Sequence, residues 1–185
     1  MTSTYDEQHD IKTPTNWDRE KGLSSDQSEA LRGPILEFIS DPSQHMAYLM
    51  TRRKDGREIM RPVSTFMEGW TVQTMTQDLQ PKTEHVRRDP IVGYLWVGHE
   101  AREDYPGNRW NPKVVWMQGR AELVTDESEV EAFYGRREKA TGSGRQHPVG
   151  ETLYLMRTTP EYVRAEGWAG MHGIVFKDFA VTAAR

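Results

Sequence analysis

The chain has 185 residues, 28% of them charged, no cysteine and a formal net charge of -4 at neutral pH. That length suits one domain with a core of useful size, or one domain with a tail. The composition excludes disulfides, thiol catalysis and zinc–thiolate sites, gives no global basic field for nucleic acid, and holds no apolar run long enough for a transmembrane helix.

Residues 1–24 are polar and show little periodicity, so they are predicted to form an extended arm or a disordered tail. They hold no apolar signal core, and the expected location is the cytoplasm. In "SSDQSEALRGPILEFISDP", Ala30, Leu31, Ile35, Leu36 and Ile39 fall at helical spacings. Ser28 is a candidate cap, Pro34 a candidate opening residue, and Pro42 the stop. "HMAYLMTRR" reads as a strand ending in a Lys-Asp-Gly-Arg turn. "EIMRPVSTF" follows, then a Glu68-Gly69 turn, then "WTVQTMT"; the three strands are expected to form a meander. "QPKTEHVRRDP" is a helix of about two turns between two prolines. "IVGYLWVG" is an apolar strand. Residues 99–112 are a polar loop. "KVVWMQGRAELV" is a longer strand in which Gly119 marks a bulge or bend. "TDESEVEAFYGRREKATG" is a helix, capped by Thr125 or Asp126 and stopped by Gly142. Residues 142–150 read as a loop. "TLYLMRTT" and "EYVRAEGW" form one strand bent at Pro160, and the tail "MHGIVFKDFAVTAAR" is ambiguous between strand and helix. Six strands and few helices point to an antiparallel barrel.

Two strands and one helix carry the candidate chemistry. Lys82 lies in the first turn of its helix, where the dipole favours acids rather than bases. A cation there either faces solvent or awaits an anion such as phosphate. Arg87 and Arg88 occupy the last turn, where they complement the dipole and need no ligand to explain them. Alternation in "REIMRPVSTF" places Ile59, Arg61, Val63 and Thr65 on one face. Arg61 is either an edge-strand guard, beside a proline that cannot join a ladder, or a phosphate ligand. In "TVQTMT" the hydroxyls of Thr74 and Thr76 share a face, which either binds a ligand or meets solvent. The six histidines lack metal-ligand spacing, and Ser64 lacks a nucleophile-elbow context. With six tryptophans and nine methionines, some large side chains are expected on a binding face or subunit interface.

Taken in order, "AYLMTRRKDGREIMRPVSTF", "QTMTQDLQPKTEHVRRDPIVGYLWV", "VVWMQGRAELVTDESEVEAFY" and "LYLMRTTPEYVRAEGW" resemble the pyridoxamine 5'-phosphate oxidase-like, FMN-binding split β-barrel superfamily. The resemblance implies a mainly β (α+β) fold: a six-stranded antiparallel split β-barrel of Greek-key type with a few flanking helices, over residues 25–170. Residues 171–185 would pack on the barrel or on a partner. It implies a homodimer with the cofactor at the subunit interface, a small-molecule substrate, and no nucleic-acid or membrane partner. The implied cofactor is FMN, with a deazaflavin as the alternative. Arg61 and Lys82 would hold the phosphate. Pro62, Val63 and Ser64 would run beside the isoalloxazine ring, and Thr74, Met75 and Thr76 would contact ring and phosphate. Trp168 or Trp110 would wall the pocket.

Three departures qualify that likeness. Pro81 stands where the vitamin-B6 oxidase has an arginine, Val114 where it has a glutamine, and no arginine follows Trp168 in "AGMHGIVFKDF". The resemblance therefore does not extend to pyridoxine phosphate as substrate. It implies an FMN-dependent oxidoreductase working by hydride transfer. The alternatives are a deazaflavin-dependent reductase and a non-catalytic flavin- or haem-binding protein.

Overall fold

The computed structural model describes residues 25–98, 112–142, 152–169 and 172–179. The predicted arm, the 99–112 loop but for its last residue, and the 142–150 loop but for its first lie outside them. The chain starts with two helices, α1 (Ser25–Ala30) and α2 (Arg32–Ser40). Ser28 lies inside α1 rather than capping a helix, and α2 begins at Arg32, two residues before the expected Pro34. Pro34 is tolerated because a first-turn N–H has no partner inside the helix. Ile35 and Ile39, one turn apart, bury the inner face of α2.

The strands are β1 (Met46–Arg52), β2 (Glu58–Ser64), β3 (Phe66–Glu68), β4 (Thr71–Gln77), β5 (Ile91–Val97), β6 (Val114–Val124), β7 (Leu153–Ala169) and β8 (His172–Phe176). Helix α3 (Pro81–Arg88) precedes β5, and α4 (Glu127–Thr141) precedes β7. All ladders are antiparallel. The described residues form eight strands, where the sequence reading expects six. The predicted strand across residues 58–66 is broken at Thr65 into β2 and β3, and the ambiguous tail supplies β8.

The break has a topological consequence. The ladder runs β2-β1-β5-β6-β7-β4-β3, with β8 on β7. Its end strands, β2 and β3, are therefore joined through the single residue Thr65. A flat sheet of that order could not bring its two edges within one residue, so the sheet is rolled. The expected three-strand meander is corrected accordingly: β2 pairs with β1, β4 pairs with β3, and β2 and β4 meet only across a seam. Thr65 is pinned there, since its N–H and its hydroxyl both donate to the His45 carbonyl, at 2.6 and 3.1 Å. The fully buried Trp96 indole N–H donates to the Thr65 hydroxyl at 3.4 Å.

Alternation on the rolled sheet builds the core. Leu49, Val72, Tyr94, Trp96, Val115, Met117, Met156 and Val163 point inward and are buried. A second cluster lies outside the sheet, where Val130, Phe133 and Tyr134 of α4 cover Leu153 and Leu155. Asp126 caps α4 by accepting from the Glu129 N–H at 3.0 Å, and Gly142 ends it at φ 70°. The bulge expected at Gly119 is present. A side chain there would put its Cβ 2.3 Å from the Thr159 carbonyl oxygen, so only glycine fits. β8 extends the sheet beyond residue 170, with Ile174 and Phe176 buried in the main core. Among the described residues no helix is long and apolar enough to cross a membrane.

Candidate functional site

The seam between β2 and β4 opens into a cavity of about 210 Å³. Pro62, Val63, Ser64, Thr74, Met75 and Lys82 all line it, six of the ten residues singled out from sequence. Alternation placed Arg61 on the inward face of β2, and its register partner is the buried Leu49. Arg61 does not itself line the cavity, but its charge reaches Lys82. Pro81 lies on the outer side of the same turn, in a shallow surface basin with Leu79, His85 and Arg88. Trp168 sits elsewhere: it packs edge-on against Phe38 of α2, ring centroids 5.3 Å apart, under the ammonium of Lys113. Trp110 lies outside the described residues.

Of the two readings offered by the sequence, burial sets aside the solvent-facing one for both threonines. Both hydroxyls face the interior rather than solvent, and both are engaged within the protein. Thr74 donates to the Ser64 carbonyl at 2.6 Å, which stitches β4 to β2 across the seam. The Thr76 hydroxyl bonds Gln80 Oε1 at 3.1 Å and the Thr83 hydroxyl at 2.8 Å. Thr83 also donates to the Gln77 carbonyl at 2.6 Å. These bonds fix the start of α3, whose N-terminus has no side-chain cap. The helix is thereby held with Lys82 of its first turn at the cavity.

Charge pairing separates the cations of α3. Arg87 is bonded to Asp78, Glu84 and the Tyr154 hydroxyl. Arg88 donates to the Arg52 carbonyl. Lys82 has no carboxylate among the described residues; its ammonium reaches only the Met75 carbonyl, at 3.4 Å. Burial, and secondly the Arg61 charge, bring its pKa from 10.5 down to about 8. Arg61 is also without an ion pair among the described residues, and its Nε is buried with no hydrogen-bond partner. Burial lowers its pKa as well. His85 bonds the Thr51 hydroxyl at 2.9 Å. Burial, then the charges of Arg61, Arg88 and Arg53, hold it below the ordinary histidine range. Buried donors and desolvated cations without partners are costly. A phosphate offers the acceptors and the charge that this cluster lacks.

Sequence reasoning missed the fourth wall. Phe133 and Arg137 of α4 line the same cavity, together with Thr65 and Phe66. Arg137 has no ion pair among the described residues, whereas its neighbour Arg136 lies 3.7 Å from Glu68 and reaches Gln73. The signal was legible. Val130, Phe133, Tyr134 and Arg137 follow one helical face, so a cation extends the apolar stripe that packs on the sheet.

An exposed apolar strip leads away from the cavity. Tyr48 stands opposite Pro62 in the ladder and Met50 opposite Met60. Met46, Tyr48 and Met60 are 47%, 48% and 52% exposed, unusual for such side chains on one sheet face. Among the described residues no group of three or more His, Asp or Glu side chains could hold a metal ion.

No family model matches the sequence, and no curated protein matches it significantly. Solved structures do match. A proposed pyridoxamine 5'-phosphate oxidase of Listeria innocua is 26% identical, covering 73% of this chain and 97% of its own, at a TM-score of 0.54. The chain has the pyridoxamine 5'-phosphate oxidase-like split-barrel fold. An F420 reductase matches at 17% identity and TM-score 0.51, over 69% of this chain and 94% of its own. A haem-binding protein of Mycobacterium smegmatis matches at 18% and 0.59, over 79% of this chain and 56% of its own. Neighbours on this fold thus differ in the cofactor their names carry, so the cofactor of this chain has to be argued from its own residues.

Proposed function

We propose that the chain is a flavin-dependent oxidoreductase that binds FMN, with the phosphate at the seam cavity. One observation carries the reading: two desolvated cations, Arg61 and Lys82, lie close enough to feel each other's charge with no carboxylate partner among the described residues, and one of them keeps a buried donor unpartnered. A phosphate in the cavity would pair with Lys82 directly and offset the Arg61 charge that Lys82 feels. Arg137 on α4 adds a third cation at the cavity wall. Bound flavin supplies the hydride chemistry, while the protein holds and orients it.

The cavity is too small for a whole flavin, so the ring would lie outside it, along Pro62 to Ser64 and the exposed strip of Met46, Tyr48 and Met60. A second copy of the chain covering that strip would complete the site, which favours a homodimer. Trp168, remote from the cavity within one chain, would then act from the partner side or have only a packing role.

The experiment is a titration of the purified protein with FMN, riboflavin and the deazaflavin F420, read by fluorescence. FMN binding at least tenfold tighter than riboflavin supports the phosphate site. Tight F420 binding without FMN binding would replace the cofactor and keep the anion site. Micromolar binding of neither would end the flavin reading. Turnover is tested separately: bound flavin reduced by NADH or NADPH and reoxidised over many cycles marks an enzyme, and a single unrecycled reduction marks a binder.

A further inference from the structure

Lys82 has a property that phosphate binding does not use. Its amine lies half-buried on the wall of a cavity that a small molecule can enter, it has no carboxylate neighbour among the described residues, and the charge of a guanidinium, Arg61, acts on it. A lysine in an apolar or cationic pocket keeps a free amine at neutral pH and becomes a carbonyl nucleophile. The cavity also carries Arg137, and the Arg61 charge is felt at Lys82, so an anionic group on the same molecule would be held beside the amine.

We propose that the cofactor-free protein forms a reversible imine between the Lys82 Nζ and a short phosphorylated aldehyde. The neutral amine adds to the aldehyde carbon. The carbinolamine then loses water, so one C=N bond replaces the C=O bond, with no change of oxidation state and no other reactant. The imine takes up a proton from solvent, and the phosphate, held by Arg137 at the cavity wall, offsets the charge of the resulting iminium. The selectivity for a phosphorylated aldehyde rests on the anion-site reading given above; the nucleophilicity of Lys82 does not.

The other lysines of the described residues are less suited. Lys54 and Lys139 are exposed, and Lys113 and Lys177 lie over the Trp168 and Tyr162 rings. Burial and the Arg61 charge bring the Lys82 pKa down to about 8, so it holds more free amine at pH 7 than an ordinary lysine.

The test incubates the cofactor-free full chain with glyceraldehyde 3-phosphate at pH 7 and cyanoborohydride, which reduces an iminium to a stable secondary amine. Peptide mass mapping then locates the adduct. The expected result is a dominant adduct on Lys82, formed at least tenfold faster than on any other lysine and at least fivefold faster than with unphosphorylated glyceraldehyde. Lys82→Arg, which keeps the charge and removes the nucleophile, should abolish it. Labelling spread evenly over surface lysines, in the wild type and equally in Lys82→Arg, overturns the proposal. Saturating FMN separates the two readings. Protection of Lys82 by FMN supports both. Tight FMN binding with no Lys82 adduct in its absence sinks the imine and leaves the phosphate site standing. A Lys82 adduct that FMN never slows keeps the imine and removes FMN from this cavity.

Discussion

The two ends of α3 carry the same kind of side chain in opposite circumstances. At the C-terminal end, Arg87 is bonded to Asp78, Glu84 and Tyr154, and Arg88 to a backbone carbonyl. At the N-terminal end, a turn and a half away, Lys82 faces a cavity with one long contact to a carbonyl. Helix polarity makes the first arrangement favourable and the second unfavourable. Cations that stabilise a fold are answered by the fold; cations that await a ligand are left unanswered by it. That distinction, rather than the number of basic residues, marks the site in a chain of net charge -4.

The contrast can be broken most sharply at Lys82. Lys82→Ala should weaken FMN by roughly tenfold to a hundredfold, the range for hydrogen bonds to charged groups, about 1.5–3 kcal/mol. Riboflavin, which lacks the phosphate, should bind as before, and calorimetry on both ligands checks this; equal losses would refute the phosphate role. Arg61→Ala should cost FMN up to about tenfold. It also removes a like charge from Lys82, so the amine's pKa should rise from about 8 toward the ordinary lysine value, read by NMR of the labelled lysine.

A pH series sharpens the same comparison. A lysine whose pKa falls on folding binds its proton more weakly in the native state than in the unfolded chain. Between about 8 and 10.5 the unfolded chain therefore holds more protons, and this group alone makes the ligand-free protein more stable as pH rises through that window. Phosphate affinity should move the other way, since the ammonium is lost. Thermal melts and FMN titrations of wild type beside Lys82→Met should show opposite slopes in the wild type, both reduced in the variant. The smallest effect is expected at the other end of the helix. Arg87→Ala should lower the melting temperature slightly and leave FMN binding unchanged, because exposed ion pairs contribute little.

How much of this was legible follows from the range of each signal. The placement of Lys82 in the first turn of α3 and of Arg61 on one face of β2 could be read because helix periodicity and strand alternation are local rules. The caps at Asp126 and Gly142 and the bulge at Gly119 were readable for the same reason. The break at Thr65 was not, since nothing in "PVSTF" announces it. It exists because His45 and Trp96, distant in sequence, hold Thr65 at the meeting of two sheet edges. Ser28 misled because a serine before an apolar run signals a cap only when the helix starts there, and here a shorter helix already surrounds it. Arg137 could have been read from the face it shares with Phe133, but which surface that face covers is set by long-range packing.

The seam at Thr65 also governs how the barrel opens. The neighbouring strands of the sheet are joined by backbone ladders, whereas β2 and β4 are linked by the Thr74–Ser64 bond and the residues lining the cavity. The roll behaves like a sleeve with one buttoned edge. A ligand lying across that edge, touching Ser64 on one side and Lys82 on the other, fastens it. Amide exchange at β2, β3 and the start of α3 should slow when the phosphate is in place, while the β5–β6–β7 ladders, already closed, keep their rates.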